Sequence, residues 1–221
     1  MSDATERLID GLVADLAPVR PLPRMRSAFA VIVALWAGLL GALAWRQTTL
    51  TGGVAAVGWL MDRVYLVAFV ALIVAALGGT VSALASGTPG RERLELGGLG
   101  AACSGLFAGA IVCVVGMLGG PGTAALVAGT REGMCLGESA LLSLLPAGVI
   151  LAFLVRGWAM RPWRAAGIAL LASGALGASI VHFGCGFLEP GHVLLSHLSV
   201  PLVLVLLGLY PLGLLLARRT G

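Results

Sequence analysis

The side chains of this chain that could do chemistry fall in its second half. Cys135 is followed three residues on by Glu138, which a helix would place on the same face. His182-Phe183-Gly184-Cys185-Gly186 comes next, then Glu189, His192 and His197. Thiolate and imidazole are borderline-soft ligands that suit zinc, cadmium or copper, and two cysteines with one or two histidines can close a tetrahedral site. The candidate ligands are Cys135, Cys185, His182 and His192, with His197 one to two turns deeper. In an oxidising compartment the same two thiols could instead pair as a disulfide. Each residue alone has a blander reading, since a histidine at a span end is commonly interfacial and a cysteine in a helix is commonly a small apolar filler. Cys103 and Cys113 take that reading. Coincidence lifts the others above it, because both remaining cysteines and all three histidines lie toward one end of the apolar segments. No cofactor is required by this pattern. The ion it suits is a transient soft metal, zinc or cadmium, at the outer cysteines.

Of the 221 residues 59% are hydrophobic and 11% charged, with a mean hydropathy of +1.02. Soluble domains carry roughly a quarter of their residues as charges, so these numbers describe an integral membrane protein with no separate soluble catalytic domain. Apolar runs long enough to span a bilayer, roughly 20 residues each, cover 27–45, 64–85, 97–118, 136–155, 165–182 and 194–217. Gly-Gly and Pro-Gly pairs punctuate the loops between them. Gly97, Ala101, Gly105 and Gly109 recur every four residues, as do Ala165, Ala169, Ser173 and Gly177. Such small-residue stripes let helix backbones approach closely, within one bundle or across a homodimer. The expected architecture is all-α: six transmembrane helices in a compact bundle over 27–217, a tail at 218–221, and a short cytoplasmic segment at 1–26.

Every basic residue is an arginine, and their distribution sets the orientation. Eleven lie on the side of the N-terminus and three on the other. Because basic loops resist translocation, both termini are expected in the cytoplasm of a bacterial inner membrane, which puts the cysteine and histidine group at the outer face. Ala42-Leu43-Ala44 matches a signal-peptidase pattern, but the preceding apolar run is too long for a signal peptide, so the first span reads as an uncleaved anchor. The spans carry no Gly-x-Ser-x-Gly, His-Glu-x-x-His, phosphate-binding glycine loop or buried acidic relay. An enzyme is not expected, nor a nucleic-acid partner.

Residues 2–17 alone have the character of a soluble protein. Asp3 and Glu6 resemble a capping box, and Leu8, Ile9, Leu12, Val13 and Leu16 fall on one helical face, with Asp10 and Asp15 off it. Pro18 ends the helix, and Pro18-Val19-Arg20-Pro21-Leu22-Pro23 must run extended. A helix lying on lipid carries a basic polar face. This one carries four acids and one arginine over residues 2–15, so it suits a basic groove on a protein partner better than an anionic membrane.

Leu8-Ile9 with Leu12 and Asp15-Leu16, then Pro18-Val19-Arg20-Pro21-Leu22, then six spans with a cysteine opening the fourth and a His/Cys-rich loop before the sixth, resemble the NrsF family. The resemblance covers essentially the whole chain. It implies a membrane-bound anti-sigma factor that holds an extracytoplasmic-function sigma factor of the sigma-F type at the inner membrane. It implies that Leu8, Ile9, Leu12, Asp15, Leu16, Pro18, Val19, Arg20, Pro21 and Leu22 hold the sigma factor. It further implies that Cys135 and Cys185 respond to heavy metals or oxidants. Two rival classes are a membrane thiol or metal protein, for transport or redox, and a structural membrane subunit without a regulatory partner. The missing Cys-x-x-Cys and the lack of ligands along the spans count against the first.

Overall fold

Residues 3–14, 22–51, 61–119, 129–157 and 159–220 are described by a computed structural model of the chain. The elements are α1 (Asp3–Ala14), α2 (Met25–Thr51), α3 (Arg63–Ser86), α4 (Glu92–Gly119), α5 (Gly129–Arg156), α6 (Pro162–Gly184), the single turn α7 (Pro190–Val193), a π-helical turn (Leu194–Leu198) and α8 (Val200–Thr220). There is no strand among the described residues. Six helices are long and apolar enough to cross a membrane, the sixth running from α7 through the π-turn into α8. The polar residues next to the apolar runs continue the helices. Thus α4 starts at Glu92, where Glu92 and Glu95 favour the positive end of the helix, and α6 starts with proline at its first position.

Central in the bundle is α6, which packs on α2, α3, α5 and α8. Small residues make that possible: Ala165, Ala169, Ala172, Ser173, Ala175 and Ala178 are all buried. A Cβ at Gly174 would lie 2.6 Å from the Cα of Pro201 in α8, and one at Gly177 would collide with Ser139 and Ser143 of α5. The second small-residue stripe is shifted from its expected register. Gly97 has nothing within 4 Å of where its Cβ would be, whereas a Cβ at Gly98 would lie 2.5 Å from the Gly78 carbonyl oxygen of α3. The face of α4 against α3 runs Gly98, Ala102, Gly105 and Gly109. A spacing of 4, 3 and 4 follows the 3.6-residue turn, which a strict period of four does not.

One end of the bundle is fastened by polar contacts. Glu95 of α4 pairs with Arg164 of α6 at 2.8 Å, and the Ser82 hydroxyl donates to the Glu95 carbonyl at 2.7 Å. The α3–α4 and α5–α6 connections touch there through the backbones of Gly87 and Gly157. Between α2 and α6 the Trp36 indole N–H donates to the Ser179 hydroxyl at 2.9 Å. Helix α1 stands apart: Leu8, Ile9 and Val13 are 64%, 44% and 59% exposed, and α1 makes no extended contact with another described element. Leu22, by contrast, is half-buried against the main core together with Met25 and Phe29. Leu22 thus fixes the start of α2 to the bundle.

Candidate functional site

At the opposite end of the bundle three parts of the chain deliver four ligand-type side chains to one place. Cys135 comes from the first half of α5, Cys185 caps the C-terminus of α6, His192 lies in α7 and His197 in the π-turn. One ligand atom from each of the four lies within 4.8 Å of the others. The Cys185 sulfur is 3.3 Å from Nε2 of His192, and the Ser196 hydroxyl is 3.4 Å from Nδ1 of the same ring. Cys185, His192 and His197 are buried, and Cys135 is half-buried. Both ring nitrogens of His197 are without a hydrogen-bond partner among the described residues, although no part of the side chain reaches solvent.

The π-turn explains why His197 joins the group. In a regular α-helix a separation of five residues turns the chain about 500°, leaving the two side chains about 140° apart. Here the Ser199 amide bonds back five residues to the Leu194 carbonyl at 3.1 Å, and the widened turn rotates His197 toward His192. Their ring centroids are 5.3 Å apart with planes at 74°. Such single π-turns within α-helices are frequent at functional sites.

His182, an expected ligand, stands one ring away and faces elsewhere. Its Nε2 donates to the Tyr65 carbonyl at 3.2 Å, and its ring stacks on the Tyr65 ring with centroids 4.0 Å apart. Helix α3 claims it, through a tyrosine outside the set of expected site residues. The Tyr65 hydroxyl also reaches the carbonyls of His182 and Cys185, the latter at 3.0 Å. Its only signal in the sequence is a tyrosine just after the cap residue Asp62, whose carboxylate accepts from the Tyr65 amide at 2.9 Å. Tyr65→Phe is expected to remove the phenol's hydrogen bond to the Cys185 carbonyl at a cost of about 1–3 kcal/mol, freeing the end of α6, whose His182 carbonyl keeps the Cys185 amide. Cys185 should then alkylate faster, as followed residue by residue by mass spectrometry; an unchanged rate would show that the phenol does not hold it.

The site is reached from outside by a groove of about 630 Å³ between α2, α5 and α6, lined by Arg46, Leu39, Cys135, Glu138, Cys185 and Phe187. Glu138 lines this groove and stays outside the four-ligand group. All four cysteines are free thiols. Burial pushes the Cys185 thiol up to about 12, with the Phe187 backbone opposing and Cys135 adding to the rise. Cys113 is buried in the core beside Tyr65 and Leu72, as expected of a filler, whereas Cys103 is exposed on α4.

Of the residues expected to hold a sigma factor, Leu8 and Ile9 lie on the exposed face of α1, and Leu22 lies against the bundle. Asp15, Leu16, Pro18, Val19, Arg20 and Pro21 fall outside the described residues, and Leu12 is described by its backbone alone.

A thiol and imidazole cluster at one end and a short amphipathic helix with its apolar face exposed at Leu8, Ile9 and Val13 place the chain in the class of small all-helical proteins with six helices long and apolar enough to cross a membrane. Residues 12–218 match the NrsF family, described as negative regulator of sigma F, and the chain belongs to that family. No curated protein and no solved structure matches it. The family name makes the chain a negative regulator with a sigma factor as its partner, which is a regulatory and not an enzymatic role.

Proposed function

We propose that this protein is a membrane-bound anti-sigma factor that sequesters an extracytoplasmic-function sigma factor at the bacterial inner membrane and releases it when the outer cysteines meet a heavy metal or an oxidant. The observation that carries the reading is the apolar face of α1, exposed at Leu8, Ile9 and Val13 and not packed on the bundle, in a chain whose family is one of negative regulators of sigma F. An apolar helical face with acidic flanks fits a groove on a basic partner. A helix of 12 residues is marginal alone in water, so docking stabilises it. The arginine distribution supports cytoplasmic termini, placing α1 beside the transcription machinery and the cysteine cluster outside.

In this reading the signal travels through packed contacts between α5, α6 and α2. Ligation or oxidation at Cys135 and Cys185 pulls α5 against α6, which already touch tightly at Gly177, Ser139 and Ser143. Nearly two turns before Cys185, Ser179 of α6 holds Trp36 of α2. Helix α2 leads back through Met25 and Leu22 to the sigma-binding segment.

The test is fractionation of cells that express the chain with its sigma factor. With the full chain the sigma factor sediments with membranes and its target promoters are silent. Deleting residues 1–26 is expected to move it to the soluble fraction and turn the promoters on. A sigma factor that stays with the membrane after the deletion contradicts the proposal.

A further inference from the structure

We infer that Cys135, Cys185, His192 and His197 make one closed, four-coordinate site for a single divalent ion of the zinc and cadmium class, with His197 as the fourth ligand. The inference rests on reading the outer cluster as the input of the proposed regulator, and it specifies what that input binds and how.

Geometry is the first support. In a tetrahedral site with metal–sulfur distances of about 2.3 Å and metal–nitrogen distances of about 2.0 Å, neighbouring ligand atoms are about 3.3–3.8 Å apart. The four atoms here already lie within 4.8 Å of one another, and one sulfur–nitrogen pair is at 3.3 Å. Small side-chain movements complete the shell.

His197 is the second and independent support. A fully buried imidazole with neither nitrogen hydrogen-bonded among the described residues is unusual, because buried polar atoms are almost always paired. The π-turn aims that ring into the cluster, where the rings of His182 and His192 stand at 4.9 and 5.3 Å. A metal ion supplies the missing partner. The Nδ1 of His182 is also buried without a partner among the described residues, but His182 lies outside the group of ligand atoms within 4.8 Å of one another, and its Nε2 donates to the Tyr65 carbonyl.

Charge decides which ion. A buried cation is costly unless neutralised. Two thiolates cancel a divalent charge, and two neutral imidazoles leave the complex at zero. On binding, the two thiols release two protons, the ion gains two sulfur and two nitrogen bonds, and no electrons move. The group offers no oxygen donor, which disfavours magnesium and calcium, and a full set of four protein ligands marks a site that holds its ion without turning it over. The groove past Glu138 to Cys135 gives the ion a way in.

The test uses the reduced full-length protein purified in detergent and titrated with cobalt(II) alone, followed by cadmium. One cobalt per chain is expected, with the intense visible bands of tetrahedral coordination, a near-ultraviolet thiolate charge-transfer band, and stoichiometric displacement by cadmium. His197→Ala should weaken binding at least about 10-fold, a loss that even an outer-shell partner can cause. His197→Cys should keep the tetrahedral bands and raise the charge-transfer intensity by about half, because three thiolates replace two. That second variant decides the matter even where the alanine variant folds poorly. His182→Ala should leave the cobalt spectrum unchanged. Weak octahedral bands in the wild-type protein, a His197→Cys spectrum identical to wild type, or loss of the tetrahedral bands in His182→Ala each overturns the assignment. No sigma factor enters this titration. A normal cobalt spectrum in a protein that fails to retain a sigma factor would refute the anti-sigma reading alone, and sigma retention without tetrahedral cobalt would refute the site alone.

Discussion

Replacing Leu8, Ile9 and Val13 together with alanine is expected to weaken capture of the sigma factor by roughly 100- to 1,000-fold, with the bundle unaffected. The three side chains are 64%, 44% and 59% exposed, so little of the fold depends on them. The substitutions remove eight carbon atoms from one face of α1. At about 0.8 kcal/mol for each buried methylene, with about half of that burial realised in a protein groove, the loss is about 3–4 kcal/mol. Each 1.4 kcal/mol is tenfold in affinity, which gives the stated range. Affinity of the purified sigma factor for the full-length chain in nanodiscs measures it. Binding unchanged by the triple substitution would show that α1 is not the docking helix.

Replacing Cys135 and Cys185 together with serine is expected to leave basal repression intact and to abolish induction by cadmium or oxidant. Serine is nearly isosteric and keeps the packing of α5 and the cap of α6, so the resting grip on the sigma factor survives. What goes is the soft-metal and redox chemistry, because a hydroxyl neither binds cadmium strongly nor oxidises. A coupling of about 1–3 kcal/mol between the outer site and the sigma-binding face corresponds to a roughly 5- to 150-fold change in affinity. A target-promoter reporter reads the difference directly. Normal induction in the double mutant would remove these thiols from the mechanism, and constitutive expression would assign them to structure.

How much of this is legible in the sequence depends on the length scale of the signal. Six spans are readable because a run of some 20 apolar residues matches the thickness of a bilayer and exceeds what most soluble helices bury. The amphipathic face of α1 is readable because Leu8, Ile9, Leu12 and Val13 keep helical phase. The stripe on α4 reads one residue out of register at its start, since Gly97 and Gly98 are adjacent and only packing against Gly78 chooses between them. Ligand chemistry alone picks out Cys135, Cys185 and His192, and the fold does bring them together. Spacing favours His182, three residues from Cys185, over His197, which lies deeper in its span. Two local facts reverse that order: the π-turn rotates His197 inward, and Tyr65 draws His182 to α3. Neither can be read from spacing, because a π-turn has no firm sequence signature and Tyr65 acts across 117 positions.

The most direct measurement is the amount of sigma factor retained by membranes that carry the full-length chain, before and after cadmium is supplied to the outer face. Retention by the wild-type protein should fall at least several-fold on exposure, while the Cys135→Ser, Cys185→Ser double mutant should hold the sigma factor equally well with and without the metal. Equal loss from both proteins, or no loss from the wild type, would contradict the claim that this outer site governs the grip of the cytoplasmic helix.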